Sequence, residues 1–169
     1  MALQSGLAAS TGGEPTVRVA GRHDLPHLQA LYRQLAESEY ALDVPYRALL
    51  RPISERAAEL LEHLSALGSD DTVWLVVDGA QHVIGSVSVR EAIPSPLVVP
   101  VMEIRDLVVE RNHRRRGIGR LLLEHAFAWG RERGMRGAML EVADANAPAL
   151  RLYEAHGMYP SGRVLVRDL

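Results

Sequence analysis

The sequence predicts an α/β (α+β) domain in which helices cover both faces of a mixed β-sheet. Residues 72–109 contain successive segments whose hydrophobic residues recur every second position, as in strands. After residue 117, helical and strand-like patterns alternate, which is typical of helices packed on a sheet. The turn at Asp78-Gly79 joins two strands with no helix between them, so a purely parallel, doubly wound sheet is excluded.

The elements follow from periodicity and from residues that begin or end helices. Asp24 and Ser54 are predicted to cap the first two helices and Asn146 the last, because their side chains can accept free backbone N–H groups. Residues 1–15 have no periodicity and predict a flexible tail, which leaves 16–169 as one domain. The predicted order is a strand at 16–20, helices from Asp24 and from Ser54, strands at 72–77, 82–90 and 101–109, a helix at 117–130, a strand at 137–142, a helix at 147–156 and a strand at 163–168.

Composition excludes several functional classes. The chain has 169 residues, 19 basic against 21 acidic, so its net charge of -2 does not favour nucleic acid or membrane partners. There is no cysteine, which removes disulfides and thiolate nucleophiles and is compatible with the cytoplasm. All 19 basic residues are arginine, so a Walker A or Schiff-base lysine is impossible. Among the histidines only His23 and His27 are four apart, and no metal site is expected.

Residues 106–122 carry the chemistry. A strand runs into an arginine-rich turn, and an amphipathic helix follows. Gly117 and Gly119 in the turn lack a side chain that would keep a phosphate away from the backbone. The first N–H groups of a helix lack acceptors and face the positive end of its dipole, so this arrangement favours an anion. A solvated basic turn is one alternative. A dinucleotide-binding loop would need a third glycine where Leu122 stands, and nucleic acid binding would need more aromatics than 5%.

Two motifs resemble those of the GNAT N-acetyltransferases, over roughly residues 16–168. The first is Arg114-x-x-Gly117-x-Gly119, after Leu107-x-Val109, and the second is Asn146-Ala147-x-Ala149-x-x-Leu152-Tyr153-x-x-x-Gly157-Met158. The resemblance implies the GNAT fold, a mixed, mostly antiparallel splayed sheet of about six to seven strands flanked by about four helices. It also implies acetyl-CoA as cosubstrate.

The resemblance further implies where the cofactor binds. Its pyrophosphate would rest on the backbone N–H groups of residues 115–120, and its amide-rich arm would pair with the backbone at Leu107 and Val109. The expected cofactor-binding residues are Leu107, Val108, Val109, Arg114, Arg115, Arg116, Gly117, Ile118, Gly119, Arg120, Asn146 and Tyr153.

Proton transfer needs an acid and a base. Tyr153 lies two helical turns after Asn146 and, by resemblance, protonates the departing thiolate, although a purely structural tyrosine is an alternative. Glu103, four residues before Leu107, stands where one branch of the family carries a glutamate that acts through water, so the resemblance makes it the preferred base, with Asp106 or water as alternatives. Strand alternation predicts that Glu103 and Asp106 point to opposite faces.

The sequence thus predicts an acyltransferase that moves an acetyl group from acetyl-CoA directly to a primary amine of a small molecule or peptide. Acceptor contacts are expected in residues 38–53, at Tyr40, Asp43 and Tyr46. A non-catalytic CoA-binding regulatory module and a nucleic-acid binder are the alternatives. No nucleic acid, membrane or metal partner is expected, whereas a homodimer would be usual for the family.

Overall fold

A computed structural model describes residues 13–65, 71–93 and 99–162. The predicted tail before residue 13 and the predicted last strand at 163–168 lie outside these ranges. The elements are β1 Thr16–Val19, α1 Leu25–Tyr40, α2 Ile53–Ser65, β2 Asp71–Val77, β3 Val83–Ala92, β4 Val101–Val109, α3 Ile118–Glu132, β5 Ala138–Met139 and α4 Ala147–Glu154. Short 3-10 turns occupy Arg22–Asp24, Arg47–Leu49 and Arg111–His113.

The sheet is mixed and mostly antiparallel, as predicted. Its strands are ordered β1-β2-β3-β4-β5, each neighbouring pair is antiparallel as far as β4, and β5 runs parallel to β4. The described residues contain five strands rather than the predicted six to seven, and β5 is much shorter than the expected 137–142. The reason is that β5 pairs only with Met102 and Glu103, at the beginning of β4, and then leaves it.

Two apolar clusters lie on opposite faces of the sheet, which confirms the predicted layers. On one face α3 packs through Leu122, Leu123 and Ala126 against buried residues of β3 and β4. On the other face α1 packs through Leu28, Leu31 and Tyr32 against buried residues of β2 and β4, which are Val73, Leu75 and Val108. No helix in the described ranges is long and apolar enough to cross a bilayer.

Helix α1 begins directly after Asp24, as predicted, but without the predicted capping bond, and the start of α2 differs from the prediction. The Asp24 side chain makes no capping bond to α1; it is 2% exposed and accepts hydrogen bonds from the Arg18 guanidinium, at 2.6 and 2.7 Å, and from the Gly21 N–H, at 2.8 Å. The expected capping bond is not formed, because an unpaired buried carboxylate would cost more free energy than a helix start without a side-chain cap. α2 begins at Ile53, so Ser54 lies inside its first turn rather than before it.

Candidate active site

A β-bulge in β4 sets the direction of its acidic side chains. Ser88 of β3 pairs with Asp106 and the next residue of β3 pairs with Ile104, so Arg105 is the extra residue of β4. Glu103 pairs with Arg90 and Asp106 with Ser88, and residues two apart on β3 share a face. Glu103 and Asp106 therefore point to the same face. The expectation of opposite faces is wrong because the bulge reverses the alternation between them.

The backbone of Leu107 and Val109 faces away from β3. The Glu110 N–H donates to the Ile84 carbonyl at 2.9 Å, and hydrogen-bonded pairs alternate along an antiparallel ladder. By the register, Val108 bonds with β3, whereas the N–H and C=O groups of Leu107 and Val109 point to the side where β5 has already left. Among the described residues, no strand pairs with this part of β4.

Val108 does not belong to the open edge of β4. Its backbone bonds with Ser86 in the register of β3 and β4. Its side chain is 3% exposed and packs in the cluster formed with α1. The sequence placed Val108 among the cofactor contacts, and the structure turns both its backbone and its side chain away from them.

The turn before α3 presents backbone N–H groups to solvent. Arg115 and Gly117 adopt left-handed backbone conformations, with φ of 63° and 83°, and a Cβ on Gly117 would meet nothing within 4 Å. Leu121 is bonded through its N–H to the Gly117 carbonyl at 3.0 Å. The N–H groups of Ile118, Gly119 and Arg120 precede that first helical bond, so they remain for a ligand.

Two of the four arginines in the turn, Arg114 and Arg120, are hydrogen-bonded to other residues, whereas Arg115 and Arg116 are available to a ligand. Arg114 donates from Nε to the Val109 carbonyl, at 3.1 Å, and from Nη2 to Ser38 Oγ, at 3.2 Å. Arg120 Nε lies 2.8 Å from Glu124 Oε1. In the described parts of the chain, Arg115 and Arg116 are exposed and make no hydrogen bond or ion pair. Arg115 and Arg116 are thus the guanidinium groups available to an anion.

Helix α1 holds the loop that leads to this turn. Gln34 Oε1 accepts the Arg111 N–H at 2.9 Å, and Glu37 lies 3.3 Å from the Arg111 guanidinium. Ser38 adds its bond to Arg114. Sequence analysis missed Gln34 and Ser38, because their partners lie more than seventy positions away and only the packing of α1 on β4 brings them together.

Gly119 has a packing role as well as a place in the turn. A Cβ there would lie 3.1 Å from Leu152 Cδ2 and 3.9 Å from Leu107 Cδ2. The glycine therefore lets α3 approach α4 and β4 closely. This contact is additional to the predicted reason, which was access of a phosphate to the backbone.

Helix α4 begins as predicted, with Asn146 as its cap. The Asn146 Oδ1 accepts the Ala149 N–H at 3.3 Å, so its NH₂ group is the part left for a ligand. Tyr153 lies farther along α4 and packs against the apolar cluster that α3 forms with β3 and β4. Burial raises the pKa of its hydroxyl above the ordinary 10.0, so the group keeps its proton at neutral pH.

Both acidic residues of β4 are bound by arginines. Arg90 Nε lies 2.6 Å from Glu103 Oε2, and Arg56 Nη2 of α2 lies 3.8 Å from Asp106 Oδ1. Arg56 Nε also lies 3.2 Å from Glu39 Oε2 of α1. Arg56 therefore links α1, α2 and β4 on the face that carries Glu103.

A surface cavity of about 320 Å³ lies beside Arg56. Tyr40 lines it, whereas the other two predicted acceptor residues, Asp43 and Tyr46, do not. The Asp43 carboxylate is fully exposed and 3.9 Å from Arg47. The cavity is lined by Ala36, Glu39, Tyr40, Leu49, Leu50, Arg51 and Arg56.

The described residues hold no group of three or more His, Asp or Glu side chains arranged for a metal ion. Arginines, carboxylates and backbone N–H groups supply the charges and dipoles of the site. The positive groups lie at the turn before α3, and the paired carboxylates lie on the α1 and α2 face of β4.

Comparisons with curated proteins give short regions of similarity to acetyltransferases. Streptothricin acetyltransferase of Streptomyces lavendulae is 45% identical over 56 residues, which is 33% of this chain and 30% of that protein. N-alpha-acetyltransferase 40 of Saccharomyces cerevisiae is 44% identical over 68 residues, 36% of this chain and 24% of that protein. The matched regions span less than a third of each of these relatives.

Solved structures resemble the chain over nearly its whole length. A putative acetyl transferase from Pyrococcus furiosus has a TM-score of 0.75 at 24% identity, covering 92% of this chain and 100% of that one. The aminoglycoside N-acetyltransferase AAC(6')-Iy, in complex with CoA, has a TM-score of 0.72 at 17% identity, covering 96% and 99%. Likeness at these identities shows the fold.

The family model described as the acetyltransferase (GNAT) family matches residues 28–158, which include both motifs, the open edge of β4 and the turn before α3. This match covers most of the chain and agrees with the mixed sheet flanked by helices on both faces. The chain therefore belongs to the acetyltransferase (GNAT) family.

Proposed function

We propose that this enzyme moves an acetyl group from acetyl-CoA directly to a primary amine of a small molecule or peptide. The observation that carries the proposal is the junction of β4 and α3. Free N–H groups of Ile118, Gly119 and Arg120 lie beside two available guanidinium groups. They follow a strand whose backbone is open at Leu107 and at the Val109 N–H, whereas the Val109 carbonyl accepts from Arg114.

The chain's groups fit the two chemical parts of coenzyme A. Helix N-terminal N–H groups and arginines bind phosphate oxygens strongly, so the turn suits the diphosphate. An amide-rich arm can bond to the open backbone of Leu107 and to the Val109 N–H as a short added strand would. Bound acetyl-CoA would supply the thioester. The likeness to a CoA-bound acetyltransferase structure supports this donor.

Glu103 and Tyr153 lie on opposite faces of the sheet, which suits direct transfer. Glu103 shares its face with Asp106, α1 and α2, whereas Tyr153 packs in the cluster of α3. We assign Glu103 to removal of the amine proton on the first face, and Tyr153 to donation of a proton to the thiolate on the second. Asp106 and water remain the alternatives for the base.

We assign the acceptor to the cavity between α1 and α2. Its Arg56 contacts Asp106, the residue next to Leu107, so the cavity adjoins the open strand on the face of Glu103. Relatives named for streptothricin and aminoglycosides support an amine-bearing acceptor. Tyr40 is the predicted acceptor residue retained by this assignment.

The test compares two glycines with the same backbone. Gly117 and Gly134 have φ of 83° and 70°, and neither would place a Cβ within 4 Å of another atom, but Gly134 follows the far end of α3. We expect Gly117→Leu to weaken CoA binding by calorimetry at least tenfold, and Gly134→Leu to leave it unchanged. Both should lose similar stability, because both strain a left-handed residue. Equal CoA affinity in the two variants would contradict the cofactor site.

Release of CoA from acetyl-CoA in the presence of amines tests the reaction itself. The wild type should release CoA only when an amine acceptor is added, and Gly117→Leu should require far more acetyl-CoA for the same rate. Tight CoA binding without transfer to any amine would contradict the proposed activity and would favour a regulatory CoA-binding module.

A further inference from the structure

One face of α1 holds the loop that joins β4 to α3. Glu37 and Ser38 lie three and four residues after Gln34, the spacings that place side chains on one side of a helix. Gln34 Oε1 accepts the Arg111 N–H at 2.9 Å, and Glu37 Oε2 lies 3.3 Å from the Arg111 guanidinium. These two side chains hold the beginning of the loop, whereas Ser38 bonds to a residue farther along it.

The Ser38 hydroxyl is oriented by its own helix. It donates to the Gln34 carbonyl, one turn earlier, at 2.7 Å. Because its single hydrogen is used there, the lone pairs of its oxygen are left to accept a bond. The Arg114 Nη2 donates to this oxygen at 3.2 Å. Ser38 therefore presents a fixed acceptor to Arg114 rather than a freely rotating hydroxyl.

The Arg114 side chain joins the end of β4 to α1. Its Nε donates to the Val109 carbonyl at 3.1 Å, while its Nη2 donates to Ser38. Because the guanidinium is planar and rigid, two bonds to different elements fix both its position and its plane. The Val109 carbonyl is the last one of β4, so the open edge of the strand ends with the Val109 N–H.

The residue that follows Arg114 needs such support. Arg115 has a left-handed backbone, with φ of 63°, which a residue with a side chain rarely adopts and which persists where neighbouring contacts hold it. Gly117 has φ of 83°, and α3 begins at Ile118. The path of the chain from β4 to the free N–H groups of α3 therefore depends on where Arg114 is held.

We propose that Ser38 is a positioning residue for the cofactor. By holding Arg114, it sets the turn so that the free N–H groups at the start of α3 and the open edge of β4 bind coenzyme A together. The inference rests on the cofactor site of the proposed function. Ser38 acts through Arg114, because its hydroxyl is already used by the Gln34 carbonyl and the Arg114 guanidinium.

Two substitutions of equal shape test the role of the hydroxyl. Ser38→Thr keeps an oxygen that can accept from Arg114, whereas Ser38→Val has the same β-branched shape without it. We expect Ser38→Val to weaken CoA binding, measured by calorimetry, roughly tenfold, as for loss of one hydrogen bond to a charged donor. Ser38→Thr should stay within about twofold of the wild type. Gln29→Ala, at an exposed position of α1, is the control and should not change CoA affinity.

A double variant tests whether Ser38 acts through Arg114. Arg114→Met removes both hydrogen bonds of the guanidinium and keeps a long side chain, so it should weaken CoA binding at least as much as Ser38→Val does. Ser38→Val combined with Arg114→Met should then bind CoA about as weakly as Arg114→Met alone. Losses that multiply in the double variant would overturn the action of Ser38 through Arg114.

The wild type and Gly117→Leu separate this inference from the proposed function. If Gly117→Leu weakens CoA binding but Ser38→Val does not, the role of Ser38 is overturned and the cofactor site stands. Equal losses in Ser38→Val and Ser38→Thr would overturn it too, because the hydroxyl would then have no effect. No CoA binding by the wild type would overturn both. Loss in Ser38→Val, retention in Ser38→Thr and no further loss in the double variant support the assignment.

Discussion

Glu103 and Asp106 project from the same face of β4, three positions apart, because Arg105 forms a bulge between them. Each carboxylate is bound to an arginine from a different element: Glu103 to Arg90 of β3, and Asp106 to Arg56 of α2. The bulge thus brings both acidic residues to the side where α1 and α2 form the cavity. Glu103 can then take a proton near the cavity, while Asp106 holds Arg56 in place.

The two carboxylates are expected to have different roles. Glu103→Gln should lower kcat roughly a hundredfold, because it removes the assigned base, and should leave KM for acetyl-CoA unchanged. Asp106→Asn should mainly raise KM for the amine, because it loosens Arg56. A Glu103→Gln variant with the wild-type kcat would rule out this base.

Tyr153→Phe should lower turnover by a factor of roughly a hundred or more while CoA affinity stays within about twofold. The reason is that burial raises the pKa of Tyr153 above 10.0, which keeps the hydroxyl protonated and able to donate. Deprotonation of the Tyr153 hydroxyl is therefore not expected to reduce activity below pH 10. Tyr159→Phe is the control, since Tyr159 is 83% exposed. Equal turnover in both variants would leave Tyr153 a packing residue.

Arg115→Gln and Arg116→Gln should each weaken CoA binding by roughly tenfold, since each removes a charged donor to phosphate. Arg120→Gln should have a smaller effect, because Arg120 is already paired with Glu124 at 2.8 Å. Titration calorimetry measures the affinity for CoA at low and high salt, and the difference in affinity between the variants should be smaller at high salt. A larger loss in Arg120→Gln than in the other two would contradict the division of the turn.

The ion pair between the half-buried Arg18 and the buried Asp24 should stabilise the fold in a defined pH range. The Arg18 guanidinium holds the pKa of Asp24 at about 2, below its ordinary 3.8. A lowered folded-state pKa stabilises the protein above the unfolded pKa, and this contribution, about 2 kcal/mol, is lost as the pH falls from about 5 through about 2. The free energies of unfolding in urea of wild type and Asp24→Asn should differ at pH 7 and nearly converge at pH 2.

Glu124→Gln is the control for that experiment. Hydrogen bonding to Arg120 lowers the pKa of Glu124 too, but both partners are exposed, so little change in the free energy of unfolding is expected at either pH. A persistent difference between wild type and Asp24→Asn at pH 2 would show that the ion pair is not its cause.

The sequence by itself determined the elements whose signals are local. Alternation marked the strands around the Asp78 turn, three-and-four spacing marked α1 and α3, and the glycines at 117 and 119 marked the break before α3. Asn146 was predicted as a cap from its place before Ala147, and it is one. These features depend on a few neighbouring residues, so periodicity and backbone preference suffice to predict them.

Only the tertiary structure decided which groups face one another. The bulge at Arg105, the departure of β5 after Glu103, and the partners of Arg56 and Arg114 all join positions far apart in the chain. Side-chain direction along a strand depends on pairing with its neighbour, and one extra residue reverses it. Likewise, whether Arg114 or Arg115 is left for an anion depends on what α1 places nearby, since hydrogen bonds and ion pairs form in three dimensions.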